Sequence, residues 1–192
     1  MDLQEKIWGE VVKIKNSLSK PRKLALCGFM GAGKTSVYSS LSGVEEFKSF
    51  EFIDIDEAIL EANPSHSNIS EFVAQAGWKR FREAEQKFIK ETIGRSENLI
   101  LSLGGGCLNA RLLEQFERNN VKLVWLKVDF EELMRRASSS VNNRPLLKEK
   151  SEAEILSLYQ EREKLYSKAD IIIDNKSLEV TVRSINDYLL SM

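Results

Sequence analysis

Gly28-Phe29-Met30-Gly31-Ala32-Gly33-Lys34-Thr35 satisfies the pattern G-x-x-x-x-G-K-[ST]. The apolar run Leu24-Ala25-Leu26-Cys27 precedes it and a helical stretch follows, so the motif stands where a strand–loop–helix unit needs it. Its glycines let successive backbone N–H groups turn inward as a nest for phosphate oxygens. The N-terminus of the following helix adds partial positive charge. Lys34 is placed to reach the β- and γ-phosphates, and the Thr35 hydroxyl to ligate Mg2+. A nucleoside triphosphate follows from this motif; a reaction does not.

Outward from the loop, short apolar runs alternate with helical stretches. Leu24–Cys27, Phe52–Ile55, Leu99–Leu103, Leu123–Val128 and Ile171–Ile173 read as strands, continuous rather than alternating, as a parallel sheet buried on both faces requires. Asp129-Phe130-Glu131-Glu132 and Ser151-Glu152-Ala153-Glu154 fit the capping box that opens a helix. The fold class is therefore α/β in three layers, a five-stranded parallel sheet between helices. Ser138 to Pro145 lacks apolar periodicity and reads as a loop, with a mobile lid expected over about residues 138–150. Residues 1–20 place Leu3, Ile7, Val11, Ile14 and Leu18 at helical spacing, which predicts an amphipathic helical extension before Pro21. Asp2, Glu5 and Glu10 make that segment a poor transit peptide.

Composition narrows the function. With 28 Lys+Arg against 29 Asp+Glu the net charge is −1, which argues against a generic nucleic-acid or acidic-membrane binder. No apolar run approaches the ~18 residues of a membrane span. Cys27, Cys107 and His66 are the only cysteines and histidine, too few for a disulfide framework or a Cys/His zinc site. His66 lies in the polar stretch Asn63 to Asn68 and reads as a loop histidine. A guanine-specific switch needs N-K-x-D, but Asn175-Lys176 runs into Ser177-Leu178. A motor-type ATPase needs an apolar strand ending in Asp; Asp129 offers one, although it serves better as a helix cap with Glu132.

Four further clusters stand in a fixed order: Asp54-Ile55-Asp56, Gly77 through Glu85 with Phe81-Arg82, Ser102-Leu103-Gly104-Gly105-Gly106, and Arg144-Pro145-Leu146-Leu147. With the phosphate loop, this order and spacing resembles the shikimate kinase family over about residues 22–190. The resemblance implies ATP-dependent phosphorylation of the shikimate 3-hydroxyl, a step toward chorismate and the aromatic amino acids. It implies an ATP site at Gly31, Ala32, Gly33, Lys34, Thr35, Ser36, Arg136 and Arg144, with Arg135 as the competing adenine-side arginine. Shikimate would lie against Asp56, Arg82, Gly104, Gly105, Gly106 and Arg162, the last matched through Arg162-x-x-Leu165-Tyr166. Lys34, Asp56 and Arg144 would be catalytic, and Thr35 with Asp54 (through water) would hold Mg2+. ATP and shikimate are the expected partners of a cytoplasmic monomer, with residues 22–192 as the kinase domain.

The residue chemistry agrees with that assignment. A carboxylated triol needs forked cations, which Arg82 and Arg162 supply, and an acceptor for a hydroxyl, which Asp56 supplies. Plainer roles stay open: Asp54 as a helix cap with Glu57, Arg82 in a solvated pair with Glu85, the glycines as an ordinary turn. The family usually has Glu after the glycine that matches Gly77; here Trp78 stands there, with altered packing and little effect on ligands expected. Two other functions fit the phosphate loop, a kinase for another small metabolite such as gluconate and a catalytically silent nucleotide-binding regulatory domain.

Overall fold

Apolar runs that must be covered on both faces leave one economical arrangement, a parallel sheet with a helix over each crossover. The computed structural model describes residues 21–95, 98–138 and 150–191. Among these are five strands, β1 (Lys23–Cys27), β2 (Glu51–Asp54), β3 (Leu99–Ser102), β4 (Val121–Lys127) and β5 (Ile171–Asp174). All pair in parallel, in the order β2-β3-β1-β4-β5. The helices are α1 (Lys34–Ser42), α2 (Ile55–Glu61), α3 (Ile69–Ile93), α4 (Ala110–Arg118), α5 (Phe130–Ser138), α6 (Glu152–Tyr166) and α7 (Leu178–Ser191). Right-handed crossovers put α1 and α7, which pack together, on one face and the touching pair α3 and α4 on the other.

Leu24, Ala25 and Leu26 of β1 and Ile100 and Leu101 of β3 have no exposed surface, so the two strands that carry the phosphate loop and the glycine turn are locked into the core. Burying each such leucine contributes roughly 1.5–3 kcal/mol. At the sheet edge the same composition behaves differently: Ile172 in β5 is 50% exposed. Three strands, β2, β3 and β4, end a residue before the apolar pattern does. Asp54 Oδ1 accepts from the N–H groups of Asp56 (3.0 Å) and Glu57 (3.3 Å), so Ile55 is already the first residue of α2. Beyond Ser102, Leu103 N–H donates to Leu26 O while the chain turns into Gly104-Gly105-Gly106.

α3 is two helical segments joined at Gly77, whose φ of 81° and ψ of 156° suit only glycine. That break re-aims the second segment, placing Trp78, Phe81, Arg82 and Glu85 at i, i+3, i+4 and i+7 on one face. α6 opens with the expected Ser151/Glu154 capping box. The extension at 1–20, Arg144 and nearly all of the expected lid lie outside the described residues.

Candidate active site

A cleft of about 700 Å³ opens at the carboxyl ends of β1, β2 and β3, beside the point where the strand order reverses. Gly31, Gly33, Lys34, Thr35 and Ser36 line one end of it. Gly33 caps α1 with φ 83°, left-handed backbone that turns the helix N-terminus toward the cleft. Lys34 Nζ donates to Gly28 O (2.8 Å) and Phe29 O (3.2 Å), lying across the mouth of its own loop. Ala32 does not line the cleft; it is buried, and its carbonyl accepts from Asn175 Nδ2 at 2.7 Å. Asn175 is itself buried, accepts from Thr181 Oγ1 (2.7 Å), and ties the turn after β5 to the phosphate loop. That strut was missed from sequence, where Asn175-Lys176 was weighed against the guanine pattern N-K-x-D.

The structure separates the two candidate adenine-side arginines. Arg136 lines the cleft and its Nη2 reaches Asn175 O at 3.4 Å, whereas the Arg135 side chain is 75% exposed. Both arginines bind Glu132. That pair of guanidiniums holds Glu132 well below the usual carboxylate range, at about 2, and draws it to the arginines instead of back to the helix start as a capping box requires.

Asp54, Asp56, Arg82, Arg162 and the three glycines line the remainder of the cleft. Burial raises the Asp56 carboxyl, with the Asp54 charge adding to it and Lys34 and Arg82 opposing. Glu85, fully buried, pairs with Arg82 Nη1. The solvated Arg82–Glu85 pair considered from sequence is thus a buried one, and burial pushes Glu85 up to about 7 against the pull of Arg82. Its Oε1 has no hydrogen-bond partner among the described residues.

The glycines leave room for charges. A Cβ on Gly104 would sit 2.5 Å from Glu85 Oε1 and 2.8 Å from Asp56 Oδ1; one on Gly106 would sit 2.6 Å from Arg82 Nη2 and 2.7 Å from Arg162 Nη2. Gly105 is less crowded, 3.7 Å from Arg162 Nη1, and its carbonyl accepts from Tyr166 Oη at 2.6 Å. The guanidiniums of Arg82 and Arg162 therefore converge over Gly106. Burial, followed by smaller effects that include Arg82, lowers the Arg162 pKa, and Arg162 has no carboxylate within ion-pair distance among the described residues. Two such cations at one point ask for an anion. Arg162 also lies 5.2 Å over the Phe29 ring, which joins this end of the cleft to the phosphate loop.

For Trp78 the expectation is altered packing with little effect on ligands. Trp78 lines the cleft, with the Arg82 guanidinium 5.1 Å from its ring centroid. His66 stays outside the cleft, its ring 4.7 Å from that of Phe72. The oxygen donors Thr35 and Asp54 share the cleft, and with Oδ1 of Asp54 occupied by its two cap bonds, Oδ2 remains for a metal-bound water. A hydroxyl and a carboxylate suit Mg2+, which takes few protein oxygens and keeps waters and substrate phosphates.

Strand order, phosphate loop and a cleft with a second anion site define a phosphate-loop kinase that acts on a small molecule. A family model described as shikimate kinase matches residues 30–191. The chain belongs to the shikimate kinase family. It is 33% identical over 156 residues to the shikimate kinase of Persephonella marina, covering 81% of this chain and 90% of that one. The structure of shikimate kinase from Acinetobacter baumannii in complex with shikimate superposes with a TM-score of 0.77 at 27% identity, covering 92% of this chain and 97% of that one. A gluconokinase from Sinorhizobium meliloti 1021, at 17% identity and TM-score 0.55 over 89% of this chain and 93% of its own, shares the fold alone. No helix among the described residues is long and apolar enough to cross a membrane.

Proposed function

We propose that the chain transfers the γ-phosphoryl group of ATP to the 3-hydroxyl of shikimate, giving shikimate 3-phosphate and ADP. The observation that carries this reading is the pair of guanidiniums converging over Gly106, in the same cleft as the phosphate loop. A carboxylated alcohol bridges the two: its carboxylate lies between Arg82 and Arg162, and its hydroxyl beside Asp56 faces the phosphate end. Backbone N–H groups of Gly31 to Ser36 and Lys34 hold the phosphates, and Arg136 flanks the base. Asp56 orients the hydroxyl and accepts its proton as the oxygen–phosphorus bond forms and the bond from the γ-phosphorus to the bridging oxygen breaks. Burial makes Asp56 a better proton acceptor than an exposed carboxylate. Thr35 and Asp54, the latter through water, would hold Mg2+, which supplies positive charge to the β- and γ-phosphates when bound. Arg144, which lies outside the described residues, would add a further cation at the transferred group. Rate enhancement comes from positioning and charge neutralisation.

Residues 22–192 act as the kinase domain and 1–20 as an extension. The proposed enzyme is a monomer working on cytoplasmic ATP. The test is ADP release by purified protein with Mg-ATP and shikimate, gluconate or no acceptor. Shikimate should stimulate release at least a hundredfold over gluconate. Release that is independent of shikimate, or tight ATP binding with no turnover, would overturn the reading.

A further inference from the structure

Arg82 is long and needs orienting before it can take a carboxylate, and three neighbours do this. Glu85 Oε2 accepts from Nη1. The Trp78 and Phe81 rings take the cation over their faces, at 5.1 and 5.4 Å to the ring centroids. Nη2 is left pointing to the space over Gly106 that Arg162 Nη2 also faces. Phe81 is buried and belongs to the core, whereas Trp78 is half-buried, stands in the wall of the cleft and packs edge-on to Phe81 at 6.1 Å. Its place depends on the backbone break at Gly77, which makes Trp78 the first residue of the second helical segment.

We propose that Trp78 is a positioning residue for acceptor binding, acting through Arg82: its indole face holds the guanidinium fork toward Gly106 without adding an anion that would compete for it. This rests on the proposed reaction, in which Arg82 takes the acceptor carboxylate. Glu85 already gives Arg82 one counter-charge, so a neutral aromatic face can fix the side chain while its outward N–H groups stay available. A saturated apolar side chain in that place would fill the space but offer no π face.

Steady-state constants for shikimate and ATP in wild type, Trp78→Ala, Trp78→Met and Trp78→Phe test the assignment, with thermal denaturation of each. Trp78→Ala should raise KM for shikimate about tenfold, leaving kcat within about threefold and KM for ATP within about twofold. Trp78→Phe should restore shikimate KM to within about threefold, and Trp78→Met should not. On an Arg82→Ala background, Trp78→Ala should change kcat/KM for shikimate less than about twofold, because the residue through which it acts is gone. Equal losses for both substrates, rescue by Met as full as by Phe, or an undiminished effect on the Arg82→Ala background would overturn the proposal. If Trp78→Ala does not fold, the Phe and Met variants decide. A wild type that does not phosphorylate shikimate overturns the reaction and this role together; normal wild-type turnover with an unchanged shikimate KM in Trp78→Ala overturns this role alone.

Discussion

At the donor end of the cleft, the groups proposed to bind anions come from one continuous stretch, Gly31 to Ser36, and most of them are backbone. At the acceptor end they are side chains brought from separate segments: Asp56 on α2, Arg82 on α3 and Arg162 on α6, closed by the glycine turn after β3. Glycine does different work in the two places. At Gly33 it permits a left-handed turn, while at Gly104 and Gly106 it leaves space that carboxylates and guanidiniums occupy. A backbone nest carries its own dipoles and needs no buried counter-ion. Converging side chains do, and the acceptor end has buried Glu85 for that purpose.

The largest effect should come from the side-chain cation of the phosphate loop itself. Lys34→Ala is expected to lower turnover roughly 10³-fold with shikimate binding unchanged, on the scale of losing a transition-state cation. Circular dichroism and a shikimate titration accompany the rate measurement. Retention of more than about a tenth of wild-type turnover by a folded variant would mean that the backbone nest suffices.

Asp54 and Asp56 stand at the boundary between the two ends, and the next test asks to which each belongs. Asp56→Asn should cost about 10²-fold in turnover, the low end for loss of a proton acceptor, and weaken shikimate binding with ATP binding unchanged. Asp54→Asn should shift the Mg2+ dependence, since an amide is a poorer partner for metal-bound water, and it should keep most of the cap, because an amide oxygen also accepts from backbone N–H. Identical ligand profiles would erase the boundary.

A smaller effect separates crowding by the protein from crowding by the ligand. Gly106→Ala drives a methyl into both guanidiniums and should raise shikimate KM about thirtyfold with little change for ATP. Gly105→Ala meets only ordinary contacts within the protein. If it is as damaging as Gly106→Ala, the turn is tight because the acceptor lies on it.

How much could be read in the sequence follows the same division. The phosphate loop is local, so residue types and spacing sufficed, and five strands were visible because apolar runs cannot hide in a parallel sheet. The acceptor residues were legible only as a family pattern: nothing in the spacing of Arg82, Gly106 and Arg162 says that they meet, because the meeting depends on how three elements pack. Burial was the hidden variable. Arg82 and Glu85 are three residues apart on a helix, a pattern that fits a solvated pair equally well, and α3 buries Glu85 completely. The place of Trp78 in the cleft wall was not legible for a related reason, since the break at Gly77 has no mark in the pattern beyond a single glycine. Asn175 gave no signal, because its partners Ala32 and Thr181 are joined to it by the fold and not by a motif.

Buried Glu85 gives an expected effect on stability and not on turnover, and it tests whether the acceptor end depends on an enclosed charge. Its carboxyl is pushed up to about 7 by burial, with Arg82 opposing and Asp56 adding to the rise. In the unfolded chain it titrates near 4.5. Below that value both states are protonated and Glu85 contributes no pH dependence. Between about 4.5 and 7 the native state keeps a proton that the unfolded chain has released, so the Glu85 contribution to stability falls as pH rises, by at most about 1.4 kcal/mol per pH unit for one proton. Above about 7 both states are ionised and the slope vanishes. Asp56, Arg162 and Cys107 also face this cluster, so the comparison with Glu85→Gln matters more than the wild-type curve alone. The variant should lack the Glu85 part of the slope, and the difference in unfolding free energy should shift in its favour from pH 4.5 to 7. A constant offset reports the lost charge-assisted bond to Arg82, whereas the change with pH reports the enclosed proton. Urea unfolding of both proteins at half-unit pH steps supplies the two curves. Parallel curves would show that Glu85 ionises like a solvated carboxylate, and the contrast drawn between the two ends of the cleft would lose its electrostatic half.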